Sequence, residues 1–370
     1  MGVAGANTLR VLLLTRYGRL GASSRMRFLQ YLPWLADAGL QGTAQALISD
    51  ECLQGRYQQG RYGLWRLLRA YLARFCVLLR RGRFDVLWIE IEALPWLPLW
   101  LERCLLRGVP YVLGYDDAAF HKYDRHPRAW VRRAYGQRLD GLMAGAALVM
   151  AGNNYLSQRA RDAGAPWVEL LPTVVDLRRY PPLTKMGTGT TDDVGHSRLR
   201  VVWIGSPTTV HYLLPLGEPL RKLARTAPFT LRVIGGGAID LPGVDVEFVH
   251  WTEETEVASI QECDIGVMPL PDSPWERGKC GYKLIQYMAS SLPVVASPVG
   301  VNREIVRVGE NGFLADSVSE WVDAMARLMS DSGLRLRMGM AGRKRVEAEY
   351  CVGKVAPRVV TLLRIVGRGH

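Results

Sequence analysis

The sequence predicts an α/β protein of two doubly wound, Rossmann-like domains facing a cleft. Three features of its 370 residues carry this prediction. Short apolar runs alternate with helix-length amphipathic segments along the chain. The runs are bounded by Gly, Pro, Asp and Ser. The series also occurs twice, on either side of the polar stretch PPLTKMGTGTTDDVGHS, 181–197, which holds almost no packing residues. Strands apolar at nearly every position suit a parallel sheet covered on both faces. Two such series imply two doubly wound sheets.

In the first half the strands are read at RVLLLTR, GTAQALIS, FDVLWIEI, PYVLGYD, ALVMAGN and WVELLPTV. In the second half they are RVVWIGS, FTLRVIG, VDVEFV, CDIGVMPL and LPVVASP. The expected organisation is an N-terminal domain over 1–180, a linker over 181–197 and a second domain over 198–350. A C-terminal helix over 351–370 is expected to pack back on the first domain. The length is comfortable for two cores.

Composition narrows the class. The longest apolar runs, such as ALPWLPLWL, fall short of the roughly 18 residues of a membrane span. VLLL near the start is too short for a signal peptide, and Ala6 stands where myristoylation needs Ser or Thr. Cys52, Cys76, Cys104, Cys263, Cys280 and Cys351 are scattered, without CxxC pairs or histidines at ligand spacing. Reduced structural thiols, no metal site and a cytoplasmic location are the expectation. Charge is uneven: residues 1–180 hold 25 Lys+Arg against 14 Asp+Glu, and residues 181–370 hold 22 against 21. One domain is therefore expected to meet an anionic surface or substrate.

Ligands of doubly wound sheets bind beyond the carboxyl ends of the strands, so the loops there hold the candidates. After the first strand, Gly18 and Gly21 allow a tight turn, and Ser23 or Ser24 can cap a helix carrying Arg25 and Arg27. An anion site and a capped surface helix both fit. In LGYDDAAFHKYD, Asp117 and His121 follow a strand and could position or deprotonate a substrate hydroxyl. Helix capping and a solvent-facing histidine are the alternative. Gly205, Ser206, Thr208 and Thr209 open the second half, where hydroxyls and backbone N–H groups can hold phosphate oxygens or simply close a turn. In PWERGKCGYKLIQYMASS, a helix starting near Gly281 carries Lys279 and Lys283 at its mouth and Gln286 one turn in. Lysines there oppose the helix dipole, a conflict that a bound phosphate would relieve. Two solvated surface lysines are the other reading.

The stretch CDIGVMPLPDSPWERGKCGYKLIQYMASSLPVVASPVGVNREIVRVGENGFLADS resembles the donor-binding segment of glycosyltransferase family 4, retaining enzymes of the GT-B fold. Asp264, Pro269, Met288-Ala289, Pro293-Val294-Val295-Ala296, Glu304-Ile305-Val306 and Asn311-Gly312 carry the resemblance. LRLRMGMAGRKRVEAEY, LPTVVDLRRY, GASSRMRFLQYLPWL and YDDAAFHKYD extend it over most of the chain. Two departures stand out. The family's pair of glutamates, eight positions apart, falls on Gly278 and Gln286. Its Arg and Lys after the second domain's first strand are replaced by GSPTTVHY.

The resemblance implies transfer of a sugar from a nucleoside diphosphate sugar with retention, and no tightly bound cofactor. Lys279, Lys283 and Ser206–Thr209 would stabilise the leaving diphosphate. Glu276 would reach the sugar hydroxyls, Gln286 the ribose, and Glu304 belongs to the donor motif. Asp117 and His121 would face the acceptor, a glycan or lipid-linked molecule. A silent binding subunit and a GT-B relative such as an epimerase are the other readings, and no nucleic acid is expected. From Arg56 to Arg83 the chain carries eight arginines and no acid. An apolar stripe from Leu64 to Leu79 is expected to pack on the sheet, with Arg66, Arg69, Arg74, Arg80 and Arg81 opposite. An anionic membrane surface is the expected partner, with Trp96 and Trp100 as either anchors or core.

Overall fold

The computed structural model describes residues 8–182, 190–191 and 197–369, so most of the expected linker lies outside the described residues. The chain forms two units. The first holds the chain up to Val174, the tripeptide Gly278–Cys280 and the segment from Val352 onward. The second holds Val175–Arg277 and Gly281–Cys351. The boundary falls at Val174/Val175 rather than at 180. Val175 N–H donates to the Tyr350 carbonyl at 3.0 Å, and Tyr180 is buried in the second unit's core.

The first unit's sheet comprises β1 (Arg10–Tyr17), β2 (Gln41–Ile48), β3 (Val86–Glu90), β4 (Tyr111–Tyr115), β5 (Leu148–Ala151) and β6 (Val168–Leu170). Their order is β2-β1-β3-β4-β5-β6, all parallel. Alternate side chains reach opposite faces. Leu12, Leu14, Leu87, Ile89 and Leu113 join one apolar cluster, while Val11, Leu13, Trp88 and Val112 join the other. The helix Val352–Arg368 covers the second face through Val355, Val359, Leu362 and Leu363.

The second unit contains β7 (Thr190–Thr191), β8 (Ser197–Ile204), β9 (Phe229–Ile234), β10 (Asp245–Val249), β11 (Ile265–Met268), β12 (Val294–Ala296) and β13 (Gly312–Leu314). Parallel strands run in the order β10-β9-β8-β11-β12-β13, and β7 pairs antiparallel with β8. β7 and β13 were not expected from the sequence. Both are too short to give a run, and β13 pairs with β12 only because Gly312 lacks a side chain. A Cβ there would lie 2.2 Å from the Val294 carbonyl oxygen. Val202, Ile204 and Met268 face one core, and Val201, Trp203, Ile265 and Val267 the other.

The helix Leu64–Leu79 is rotated from its expected setting. Arg74, expected in solvent, is fully buried. Its guanidinium donates to the carbonyls of Thr15, Gln45 and Ala93 and to the Gln45 side chain. Four acceptors offset the desolvation of one cation. Leu67, Tyr71, Phe75 and Leu78 share the inward face, so Leu64, Leu68, Leu72 and Leu79 turn outward and are exposed. Among the described residues no helix is long and apolar enough to cross a membrane, and no group of His, Cys, Asp or Glu could hold a metal ion.

Candidate functional site

In the second unit the strand order reverses between β8 and β11, which opens a crevice beyond their carboxyl ends. The β8 exit is Gly205–Thr209. Gly205 is required by close approach, since a Cβ would stand 2.4 Å from the Trp203 ring. Thr209 N–H donates to the Ser206 carbonyl at 2.9 Å, which closes a turn, and the hydroxyls of Ser206 and Thr208 lie 2.8 Å apart at its open side. The β11 exit leads to the short helical turn Pro274–Arg277. There the buried Glu276 carboxylate accepts from the Tyr212 hydroxyl at 2.5 Å and from Ser273. Glu276 is thus tied to the segment that follows Thr209.

The helix Tyr282–Ala289 starts at Gly281, whose φ of 65° is left-handed. A Cβ there would also meet Ile305 Cδ1 at 2.3 Å, so glycine is doubly required. No side chain caps this helix and its first turn holds no acid, while Leu284 N–H donates to the Gly281 carbonyl at 3.0 Å; the positive end of the helix dipole is thus offset by no carboxylate of its own. Lys283 Nζ sits 5.3 Å from the centroid of the Trp203 ring, at the β8 exit. The Tyr287 hydroxyl accepts from Ile204 N–H at 3.0 Å and ties the helix to β8. Uncapped helix, lysine and hydroxyl turn therefore share one end of this sheet. Exposed Glu304 lies in the short helix Asn302–Ile305, which packs against Gly281. Gln286 departs from expectation: it is buried and donates to the Tyr180 hydroxyl at 3.2 Å, so it braces the core instead of facing a ribose. Asn311, another motif residue, is also structural, accepting from Arg307 N–H and donating to the Ile305 carbonyl.

Lys279 does not join Lys283 on the helix. It belongs to the first unit, with Nζ 3.9 Å from Asp117 Oδ2. Asn153, at the end of β5, donates to the carbonyls of Gly278 and Lys279 at 2.9 Å each. Gly278 lies against Ala118, leaving no room for the family's glutamate side chain. Asp117 remains partly exposed and accepts from Ala118 N–H at 2.9 Å. Burial raises its carboxyl above the usual range, against the opposing pull of Lys279. Nearby Lys122 is pushed down to about 8, mainly by burial and then by Arg16.

Two other expected residues turn inward. His121 has both ring nitrogens engaged, with Asp124 Oδ1 and the Tyr155 hydroxyl at 2.8 Å each, and burial lowers its pKa. It is a braced histidine rather than an open base. Arg25 is buried and donates to the Arg19 carbonyl at 2.6 Å. Gly21, not Ser23 or Ser24, holds the N-cap position, and a Cβ there would strike Tyr17 Cβ at 2.4 Å. Both serines instead donate to Glu90, at 2.8 and 2.5 Å. Glu90 also accepts from Arg16 N–H at 2.7 Å, and burial raises its pKa.

Sequence reasoning missed Glu90, and also the buried Arg138, which donates to Glu92 and Glu102. The available signal was an acidic pair, Glu90 and Glu92, inside the apolar run VLWIEIEALPWL.

Residues 198–331 match the family described as Glycosyl transferases group 1. No curated protein sequence matches the chain. Among solved structures it is similar to sucrose-phosphate synthase from Thermosynechococcus elongatus, with TM-score 0.73, 16% identity and coverage of 98% of this chain and 100% of that one. It is similar to Anabaena HepE in complex with UDP and glucose, at 0.65 and 14%, covering 96% and 99%. It is also similar to WaaG, a glycosyltransferase involved in lipopolysaccharide biosynthesis, at 0.66 and 12%, covering 96% and 99%. The fold is GT-B, and residues 198–331, which carry most of the motifs, are similar to the Glycosyl transferases group 1 family.

Proposed function

We propose that this GT-B chain transfers a sugar from a nucleoside diphosphate sugar, with retention, to a glycan or lipid-linked acceptor in cell-surface polysaccharide or glycolipid synthesis. The observation that carries the reading is the start of the helix Tyr282–Ala289, which no side chain caps, with Lys283 over the Trp203 ring that adjoins Gly205 and the hydroxyl turn. A positive helix end, a cation and hydroxyls at the same end of one sheet suit a diphosphate whose charge grows as the glycosidic bond breaks. No metal is needed for that step if these groups supply the charge. Glu276 would contact sugar hydroxyls and Glu304 the donor. On the first unit, partly exposed Asp117 beside Lys279 is the acceptor-side candidate, with Gly21 and Arg25 shaping the adjoining loop rather than binding.

Uridine diphosphate is the first donor nucleotide to try, because HepE is described with UDP and with UDP-glucose. The unequal charge of the two halves supports a cytoplasmic enzyme held at the inner membrane face by a basic first unit. A silent binding subunit is the second reading, favoured by Gly278 and the inward Gln286 at the family's acidic positions. Thermal shifts with UDP, GDP, dTDP and ADP test the donor site, since a cognate nucleotide stabilises by mass action. Turnover of the matching sugar nucleotide with lipid acceptors then separates the readings. A chain stabilised by none of the four would sink the proposal.

A further inference from the structure

The outward face of the helix Leu64–Leu79 carries a continuous apolar stripe. Leu64, Trp65, Leu68, Leu72 and Leu79 are all exposed, Leu64 at 79% and Trp65 at 77%. At about 100° per residue they fall within one sector about 100° wide. Exposed Arg66, Arg69 and Arg80 border that sector on one side. Single exposed leucines are ordinary, but an aligned stripe rimmed by cations marks a binding surface. Trp100, 67% exposed, stands on the helix Leu99–Leu106, which packs beside this one.

The occupant follows from charge. No acidic residue lies between Arg56 and Arg83, so a second copy docking here would set arginine against arginine. An anionic phospholipid leaflet offers the complementary sign together with acyl chains for the stripe, and tryptophan favours the headgroup boundary. We infer that the helix Leu64–Leu79 lies in the plane of an anionic membrane, its leucines among the acyl chains and its arginines at the phosphates. Arg74 fixes this setting from the opposite face, because its buried hydrogen bonds prevent the helix from rolling the stripe inward. The inference deepens the reading of a membrane-held acceptor and rests on it for its purpose. Its test uses neither donor nor acceptor, so the two can fail separately.

The full chain is co-sedimented with phosphatidylcholine vesicles and with vesicles of equal parts phosphatidylcholine and phosphatidylglycerol. Acyl-chain-brominated lipid reports insertion by quenching tryptophan fluorescence. The parent is expected to bind the mixed vesicles and be quenched. Leu68→Glu with Leu72→Glu, both on the exposed face and so compatible with folding, should weaken binding on the order of a hundred-fold. Neutralising Arg66, Arg69 and Arg80 to Gln should cost about five-fold each, on mixed vesicles alone. Parent binding to neither vesicle overturns the inference. So does a glutamate variant that still binds like the parent, which would indicate adhesion without insertion. A parent dimer that the glutamate variant dissolves, seen by sedimentation equilibrium, would give the stripe to a second copy instead.

Discussion

Replacing Gly278 with alanine tests why this chain lacks the family's first glutamate. A Cβ at Gly278 would lie 2.4 Å from Ala118 Cβ and 2.6 Å from Ala118 N, where carbon contacts normally settle at about 3.5–4.0 Å. The tripeptide would have to withdraw by about 1 Å. Asn153 resists this, since its amide holds both the Gly278 and Lys279 carbonyls at 2.9 Å, and buried Cys280 follows directly. Overpacking costs about 1–3 kcal/mol, and each strained hydrogen bond about 1 kcal/mol more. Gly278→Ala should therefore lose about 3–5 kcal/mol in urea unfolding at neutral pH. Gly278→Glu should lose at least as much and gain no turnover, because the obstacle lies at Cβ, before the carboxylate begins. An alanine variant within about 0.5 kcal/mol of the parent would refute the packing argument. A glutamate variant with raised turnover would refute the claim that the position has been given over to structure.

Lys283→Ala should weaken nucleoside diphosphate binding roughly ten-fold or more by calorimetry, as the loss of a charged hydrogen bond predicts, and Lys279→Ala much less, since Lys279 lies beside Asp117 in the first unit. Equal affinities in both variants and the parent would remove the phosphate site. Asp117→Asn should lower turnover while sparing nucleotide affinity. Because burial raises the Asp117 pKa, the parent's turnover should fall as pH drops through that raised value, and the variant should lack this limb in a pH–rate profile. Arg138→Met leaves Glu92 and Glu102 buried without their cation, a loss of about 3–5 kcal/mol at pH 7. Glu102 already has a raised folded pKa from burial, so its contribution is present below the unfolded pKa and lost as pH rises through the folded one. The penalty should shrink at pH 5, and a pH-independent difference between parent and variant melts would contradict this.

The paired sheets were legible because runs such as VLWIE and YVLGY are apolar throughout, which only a two-sided cover explains. β13 was not, since its three residues pair through a glycine rather than an apolar run. The rotation of Leu64–Leu79 was misread because periodicity counts arginine as polar. Arg74 is inward only by virtue of acceptors distant in sequence, from Thr15 to Ala93. Of the site, the helix start near Gly281 and the place of Lys283 in its first turn could be read from local pattern. The inward turn of Gln286, His121 and Arg25 could not, since hydrogen bonds decide it: Gln286 to Tyr180, His121 to Asp124 and Tyr155, and Arg25 to the Arg19 carbonyl. The separation of Lys279 from Lys283 has the same origin, as Asn153 captures the tripeptide that carries Lys279.

The helix Val352–Arg368 has a consequence for biosynthesis. It completes the apolar face formed by Val11, Leu13, Trp88 and Val112, yet it is translated after the whole of the second unit. At ~5–20 residues per second, about ten to forty seconds pass between the emergence of β6 and that of this helix. During that interval the nascent first sheet has one face covered only in part, by Phe28, Tyr31 and Leu35, while the second unit can already condense. The later-made unit can thus mature first, and the ribosome-bound intermediate presents an apolar flank until the last helix arrives. Premature termination anywhere after the second unit would leave part of that face bare and prone to aggregation.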